Sequence, residues 1–391
     1  MKIHKILLTS VLFFSISSFA QAPKKEWTFL IFLNGHNNLS SFGEMNIKEM
    51  EKIGSTKDLN IIVEWGSAST SITKRLYIEK SKNINKVTSK PLKQMKDYDM
   101  GNYENLQSFV RWGIENYPAN HYFITVWNHG SGWRRTANPP ATRNISFDDN
   151  TGNKITTEEL GLAMADAKAA LGRNVDIYGS DACLMQMVEV AGEMKDSVDY
   201  FVGSQETIPA EGWPYLPFLT KWSAAPRMTP REVSILLSKE YVEGYTSNGV
   251  YGAKDGITFS AWDLSKLSDA YTAIKKFAAS LNTLKPADWT KIKNAIPNAL
   301  SFSYSDYVDL GDFTKQIQNL KLKTINAGIL ADVQQSIQDA VLTTDNGQGF
   351  EKATGMSIWL PQASNDNQAR YDKLKFSRAT GWNTITKQVV K

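Results

Sequence analysis

The sequence predicts an α/β protein with a mostly parallel sheet flanked by helices on both faces. Short apolar runs bounded by polar or glycine-containing turns read as buried strands. Amphipathic segments of helical length separate them, which is the pattern of βαβ units. In order, "WTFLIFLN" (27–34) is the first strand, "SFGEMNIKEMEKIG" (41–54) a helix and "LNIIVEW" (59–65) the second strand. "RLYIEK" (75–80) alternates polar and apolar residues and reads as an edge or hairpin strand. "KSKNINKVTSKPLKQMK" (80–96) is the densest positive stretch; it lacks interleaved aromatics and reads as a solvated hairpin or loop. The helix "ENLQSFVRWGIENY" (104–117) precedes the strand "HYFITVWNHG" (121–130). "TEELGLAMADAKAALG" (157–172) is helical, and "TTEEL" supplies its start signal, a Thr followed shortly by Glu. The strand "VDIYGSDAC" (175–183), the helix "MQMVEVAGEMKD" (185–196) and the strand "YFVGSQE" (200–206) follow. Beyond about residue 262, "LSDAYTAIKKFAASLNTL", "DWTKIKNAI" and "INAGILADVQQSIQDAVL" read as helices, and "GMSIWLP" (355–361) as one more strand. The expected organisation is a main α/β domain over 26–262 and a helix-rich C-terminal subdomain over 263–391.

The first residues carry a short basic start, "MKIHK", an apolar run, "ILLTSVLFFSIS", and small residues, "SFAQA". This is the pattern of a secretory leader, with cleavage expected after Ala20 and a signal peptide over 1–20. The run is shorter than the roughly 18 residues a membrane helix needs, and no later apolar run is that long. The expectation is an exported protein without a membrane span, secreted or periplasmic. The formal charge is +4; losing Lys2 and Lys5 and no acid leaves +2. That near balance gives no electrostatic case for nucleic acid as a partner. The chain holds one cysteine. Export permits disulfides, so a single thiol needs an explanation.

Two reactive side chains stand at strand ends, where parallel sheets place their sites. His129 closes "YFITVWNHG" and Cys183 closes "VDIYGSDAC". If these strands are neighbours, imidazole and thiol share one cleft. A histidine and a following helix N-terminus would lower the thiol pKa and favour thiolate. Thiolate attack on a carbonyl gives an acyl-enzyme, with backbone N–H groups near Gly130 and Cys183 placed to stabilise the oxyanion. Asp181, two residues before Cys183, shares its face of the strand and can select a substrate Arg or Lys; its other reading is an N-cap for the next helix. His4 leaves with the leader, His36 lies in a polar turn and His121 starts a strand, so none of them needs a catalytic role. "DDNTGNKITTEE" fails as an EF-hand, because its register puts Phe147 at the first ligand position. The sequence has no H-E-x-x-H, cysteine cluster or G-x-S-x-G, which argues against a zinc enzyme and a serine hydrolase of that type.

"NHGSGW" (128–133) and "SDACLM" (180–185), in that order, resemble the clostripain family of cysteine peptidases, related in fold to caspases, gingipains and legumain. "WTFLIFLNGHNNL", "EMEKIGS", "VGSQETIPAEGWPY", "YVDLGDF" and "GMSIWLP" agree, so the likeness runs over nearly the whole chain after the leader. It implies a caspase-like core and peptide-bond hydrolysis after Arg or Lys by a His–Cys dyad. His129 would be the general base and acid, Cys183 the nucleophile, and the amides of Gly130 and Cys183 the oxyanion hole. It also points to Glu211 as a second acid for the substrate's basic side chain, and to self-cleavage in the 134–154 loop after Arg143 or Lys154. Where the family's first strand ends in Asp-Asn, this chain has His36-Asn37. No cofactor is required; calcium is possible, with no site assigned. The partners implied are peptide or protein substrates, with the oligomeric state open. Two other readings use the same residues: a non-catalytic caspase-like binding module, and a Cys–His transpeptidase that passes the acyl group to an amine.

Overall fold

The computed structural model describes residues 24–70, 72–134, 144–364 and 366–391. The expected leader, residues 1–20, lies outside the described residues. Strands run β1 (Lys25–Gly35), β2 (Leu59–Ser67), β3 (Ile72–Tyr77), β4 (Pro91–Lys96), β5 (Ala119–Trp127), β6 (Val175–Asp181), β7 (Val198–Gly203), β8 (Thr258–Asp263), β9 (Tyr307–Asp309), β10 (Val341–Asn346) and β11 (Ser357–Trp359). Nine of them form one sheet in the order β10-β8-β7-β6-β5-β1-β2-β3-β4. Its centre, β7 through β2, is parallel. Antiparallel strands close both sides. β3 is therefore an inner strand of a hairpin, and the lysine-rich segment supplies the true edge, β4.

The main helices are α1 (Ser40–Ile53), α2 (Tyr103–Asn116), α3 (Thr157–Leu171), α4 (Val188–Met194), α5 (Tyr215–Ala224), α6 (Pro230–Gly244) and α7 (Leu267–Asn282). Next come α8 (Pro286–Ala295), α9 (Leu310–Asn319) and α10 (Ala327–Ala340), and three short helices end the chain. The Thr156–Glu159 capping box starts α3.

Successive β1 side chains point to opposite faces. Trp27, Phe29, Ile31 and Leu33 enter a core shared with α1, α5 and α6, whereas Leu30 and Phe32 enter a core shared with α2 and α3. A strand buried on both faces must be apolar at nearly every position, which is why β1 was legible as a continuous run. The region after residue 263 sends β10 back into the main sheet beside β8. Its β9–β11 pair sits against the segment after Cys183 through a bridge between Met187 and Ser357.

One buried acid couples this junction to pH. Glu189, at the start of α4, is 0 % exposed. Its Oε1 accepts hydrogen bonds from the Trp359 N–H and the Tyr371 hydroxyl, both at 2.9 Å, while Oε2 has no partner among the described residues. Burial pushes the carboxyl up to about 7. A pKa raised in the folded state contributes stability at acidic pH that is lost as pH rises through 7. Glu189→Gln keeps an acceptor and removes the titration. Relative to wild type it should gain on the order of 2–3 kcal/mol between pH 5 and pH 8. Urea unfolding at the two pH values measures this; a wild-type/variant difference independent of pH would contradict it.

Candidate active site

β5 and β6 are adjacent and parallel, with Trp127 paired to Asp181, so the two strands end level. The next residues on each, Asn128-His129-Gly130 and Ala182-Cys183, emerge together at the carboxyl edge of the sheet. A cavity of about 170 Å³ opens there, lined by His129, Cys183, Asp181, Trp127, Ile208 and Gly212 among others.

The His129 Nε2 lies 2.7 Å from the Asn38 Oδ1. An amide oxygen only accepts, so Nε2–H donates, and in the neutral ring Nδ1 is the proton-accepting nitrogen. Asn38 sits on the turn between β1 and α1. The turn is fixed beneath it: the Asn34 side chain donates to Phe147 O at 3.1 Å, Asn37 to the same oxygen at 3.0 Å, and Asn128 to Asn34 O at 2.6 Å. His36 is buried there, its Nδ1 2.9 Å from Asp148 Oδ2, which also accepts from Met100 N–H at 2.9 Å. Burial would raise the Asp148 carboxyl, but these hydrogen bonds outweigh it and hold it below its ordinary value. His36 thus ties the segment that holds Asp148 to the end of β1.

The Cys183 thiol is not where a helix dipole acts. The chain leaves β6 through Leu184 at φ 63°, and α4 begins only at Val188. The sulfur instead accepts the Ile208 N–H at 3.3 Å and faces Ile208 O at 3.7 Å. Burial pushes the thiol pKa up, against the pull of the Ile208 and Gly130 amides, with Glu206 and Asp181 adding to the rise. The expected lowering of the thiol pKa by a helix N-terminus is corrected: the segment 206–209 covers the thiol. That segment is anchored by Glu206, whose Oε2 accepts Ser303 N–H at 2.8 Å and whose main-chain oxygen accepts Leu184 N–H at 3.1 Å. Gly130 abuts the Cys183 main chain so closely that a Cβ would lie 2.4 Å from Cys183 O. Only glycine fits, which brings the two expected oxyanion-hole residues side by side.

Asp181 points into the cavity and is no N-cap; α4 is preceded by Met187, with no side-chain cap. Oδ2 accepts Trp213 N–H at 3.1 Å and the Tyr215 hydroxyl at 2.9 Å, and Oδ1 has no partner among the described residues. Burial, with a smaller push from Glu49, raises the carboxyl to about 7, against those two hydrogen bonds. Gly212 walls this site: its φ is 72°, and a Cβ there would stand 3.0 Å from Asp181 Oδ2. Tyr245 OH holds Gly212 O at 2.6 Å, and Asn46 braces both sides, accepting from the Trp127 indole and donating to Glu211 O, each at 2.9 Å.

Glu211 is not brought into the group. Its carboxylate sits 3.4 Å from Lys254 Nζ, and it does not line the cavity. Arg143 lies outside the described residues. Lys154 precedes Ile155, whose N–H and carbonyl both pair with Ile145, and the main chain at 153–154 packs against Gly101. Among the described residues no group of three or more His, Cys, Asp or Glu is arranged to hold a metal ion. No helix among them is long and apolar enough to cross a membrane. Asn38, Ile208 and Gly212 were not read from the sequence as site residues; each arrives through topology. Only knowing that β1 lies beside β5 would have marked "NGHNN" as the turn facing His129.

The sequence model of the clostripain family matches residues 31–388. The chain is 23 % identical to clostripain of Hathewaya histolytica over 327 residues, 72 % of this chain and 61 % of that one. It thus spans about 61 % of the length of this curated relative. Among solved structures, it is similar to a secreted C11 cysteine protease from Bacteroides thetaiotaomicron bound to an irreversible peptide inhibitor. The TM-score is 0.71 at 22 % identity, covering 92 % of this chain and 99 % of that one. An inactive zymogen C11 protease from Parabacteroides distasonis gives a TM-score of 0.69 at 17 % identity, with the same coverage. These likenesses show the fold: the mostly parallel α/β arrangement that the strand pattern led us to expect, in the caspase-like form that the family resemblance implied.

Proposed function

The chain belongs to the clostripain family of cysteine peptidases, and from that premise we propose that it is an exported endopeptidase cutting after Arg or Lys through a thioester on Cys183. The observation that carries the specificity is the unpartnered Asp181 Oδ1 in the cavity shared by His129 and Cys183. A buried carboxylate oxygen without a donor is costly alone and favourable once a guanidinium or ammonium reaches it. Apolar walls from Leu39, Trp127 and Ile208 with the Asp181 carboxylate as the one acid suit a long side chain ending in a cation.

In this reading His129 takes the thiol proton, and Sγ attacks the carbonyl carbon of the bond after the basic residue. The oxyanion is met by the Gly130 and Cys183 amides. Collapse breaks the C–N bond, and His129 gives its proton to the leaving amine. Water then enters, loses a proton to His129 and hydrolyses the thioester, restoring the thiol. The Sγ contact with Ile208 must yield for attack, because a half-buried thiol with a raised pKa is a poor nucleophile. The Asn38 hydrogen bond holds the imidazole in the required tautomer. Asn38→Ala should lower kcat about 10-fold or more with little change in KM, read from steady-state kinetics on a short Arg substrate; unchanged kcat would remove Asn38 from the machinery. Maturation by self-cleavage in the 134–154 segment, after Arg143 or Lys154, fits the same specificity; Lys154 lies in a paired, packed stretch.

A peptide chloromethyl ketone ending in Arg tests the assignment. It should add one mass equivalent, located on Cys183 by peptide mapping. Labelling at another residue, or none, would refute it.

A further inference from the structure

We propose that the lysine-rich segment 80–96 is a docking surface for an anionic lipid bilayer, centred on its 80–90 connection at the edge of the sheet opposite the cleft. The segment holds Lys80, Lys82, Lys86, Lys90, Lys93 and Lys96 and no acid. All six lysines are exposed. None of them enters an ion pair among the described residues. Ile84 and Leu92, two of the large apolar side chains the surface exposes most, lie among them at 71 % and 50 %. Lysines around exposed aliphatic groups match a headgroup layer over acyl chains, where charge attracts and the apolar groups enter the boundary. Nucleic acid fits less well, because no aromatic is interleaved for base stacking.

Edge protection does not account for the pattern. Lysines on an outer strand block unwanted pairing, which covers Lys93 and Lys96 on β4. Lys80, Lys82, Lys86 and Lys90 lie off the strand, in the connection from β3. That connection is held in shape. Glu51 is 0 % exposed and accepts the N–H of Ser89 at 2.6 Å and of Thr88 at 2.9 Å, and Asn83 Oδ1 accepts Asn85 N–H at 2.9 Å. The surface is therefore preorganised, and binding does not have to order it.

The antiparallel pairing of β3 with β2 brings the 78–90 connection, with Lys80, Lys82, Ile84, Lys86 and Lys90, to the amino edge of the parallel strands, and β4 runs back along the side of the sheet until Lys96 pairs with Ile72. His129 and Cys183 leave from the carboxyl edge. A cavity of about 340 Å³ opens beside the patch, lined by Lys25, Lys90, Leu92, Tyr77 and Tyr117, with Glu79 its one acid. It has room for part of a headgroup. Seated this way, the protein keeps its cleft turned from the bilayer, so docking and peptide hydrolysis are separable. The proposal does not depend on the peptidase reading.

The test is co-sedimentation of the purified protein with phosphatidylcholine vesicles, with and without phosphatidylglycerol, at low and high salt. Binding should require phosphatidylglycerol and fall with salt. Lys82→Glu/Lys86→Glu/Lys90→Glu should weaken partitioning by at least about tenfold. Ile84→Ser/Leu92→Ser, which keeps every charge, should weaken it several-fold. Circular dichroism of both variants should match wild type. Equal binding to both vesicle types, or wild-type binding by either variant, would overturn the proposal. So would retention by a soluble polyanion such as heparin with no vesicle binding.

Discussion

Asp181→Asn should abolish most hydrolysis after Arg while leaving the fold intact. The variant keeps an acceptor oxygen for the Trp213 N–H and the Tyr215 hydroxyl, which both donate to Oδ2, but loses the charge facing the cavity. Truncating one partner of a buried, hydrogen-bonded charge pair costs about 2–5 kcal/mol. That corresponds to a loss in kcat/KM of roughly 30-fold to several thousand-fold. The wild type carries a second signature. With the Asp181 carboxyl raised to about 7, the empty site is increasingly charged as pH rises through 7. KM for an Arg substrate should therefore fall over that interval, and binding the cation should release a proton. In Asp181→Asn both effects should vanish. Steady-state kinetics over roughly three pH units centred on neutrality measures all of this; an undiminished rate on Arg would remove Asp181 from the pocket.

Cys183→Ala should eliminate peptide hydrolysis, by on the order of a million-fold for a nucleophile in a covalent mechanism. The site explains why little should remain. The imidazole and the backbone amides act through an intermediate that only the sulfur forms. Removing Sγ also removes the acceptor for Ile208 N–H, so a modest loss of thermal stability should accompany the loss of activity. If the chain matures by self-cleavage, this variant should run as a single intact chain on mass analysis while active wild type shows fragments. Residual hydrolysis within about tenfold of wild type, or the same fragments from the variant, would assign the chemistry elsewhere.

What the sequence made legible was what burial writes into it. β1, β2, β5, β6 and β7 are covered on both faces, so each reads as an apolar run. Reactive residues at the ends of two such runs, His129 and Cys183, then fall at one edge of the sheet. β4 left no such mark: every residue from Pro91 to Lys96 is exposed or nearly so, and polar exposed chain reads alike as strand or loop. β10 is half-buried and polar for a related reason. The thiol's surroundings were misread because they come from far along the chain. The helix after Cys183 starts later than its pattern suggested, and Ile208, on the exit from β7, supplies the contact that a helix terminus was expected to make. Glu211 stands one residue before the Gly212 wall, yet its side chain turns to Lys254. Adjacency in sequence fixed the loop, not the direction of the side chain. His36, the visible departure from the family pattern, sits in the brace beneath the site, paired with Asp148.

The central claim is that one cavity both chooses a basic residue and attacks the bond after it. Hydrolysis of four short substrates, identical except for Arg, Lys, Asp or Asn before the scissile bond, tests it most directly. The account predicts thiol-dependent cleavage after Arg and Lys and none after Asp or Asn. Cleavage confined to Asp or Asn would contradict it.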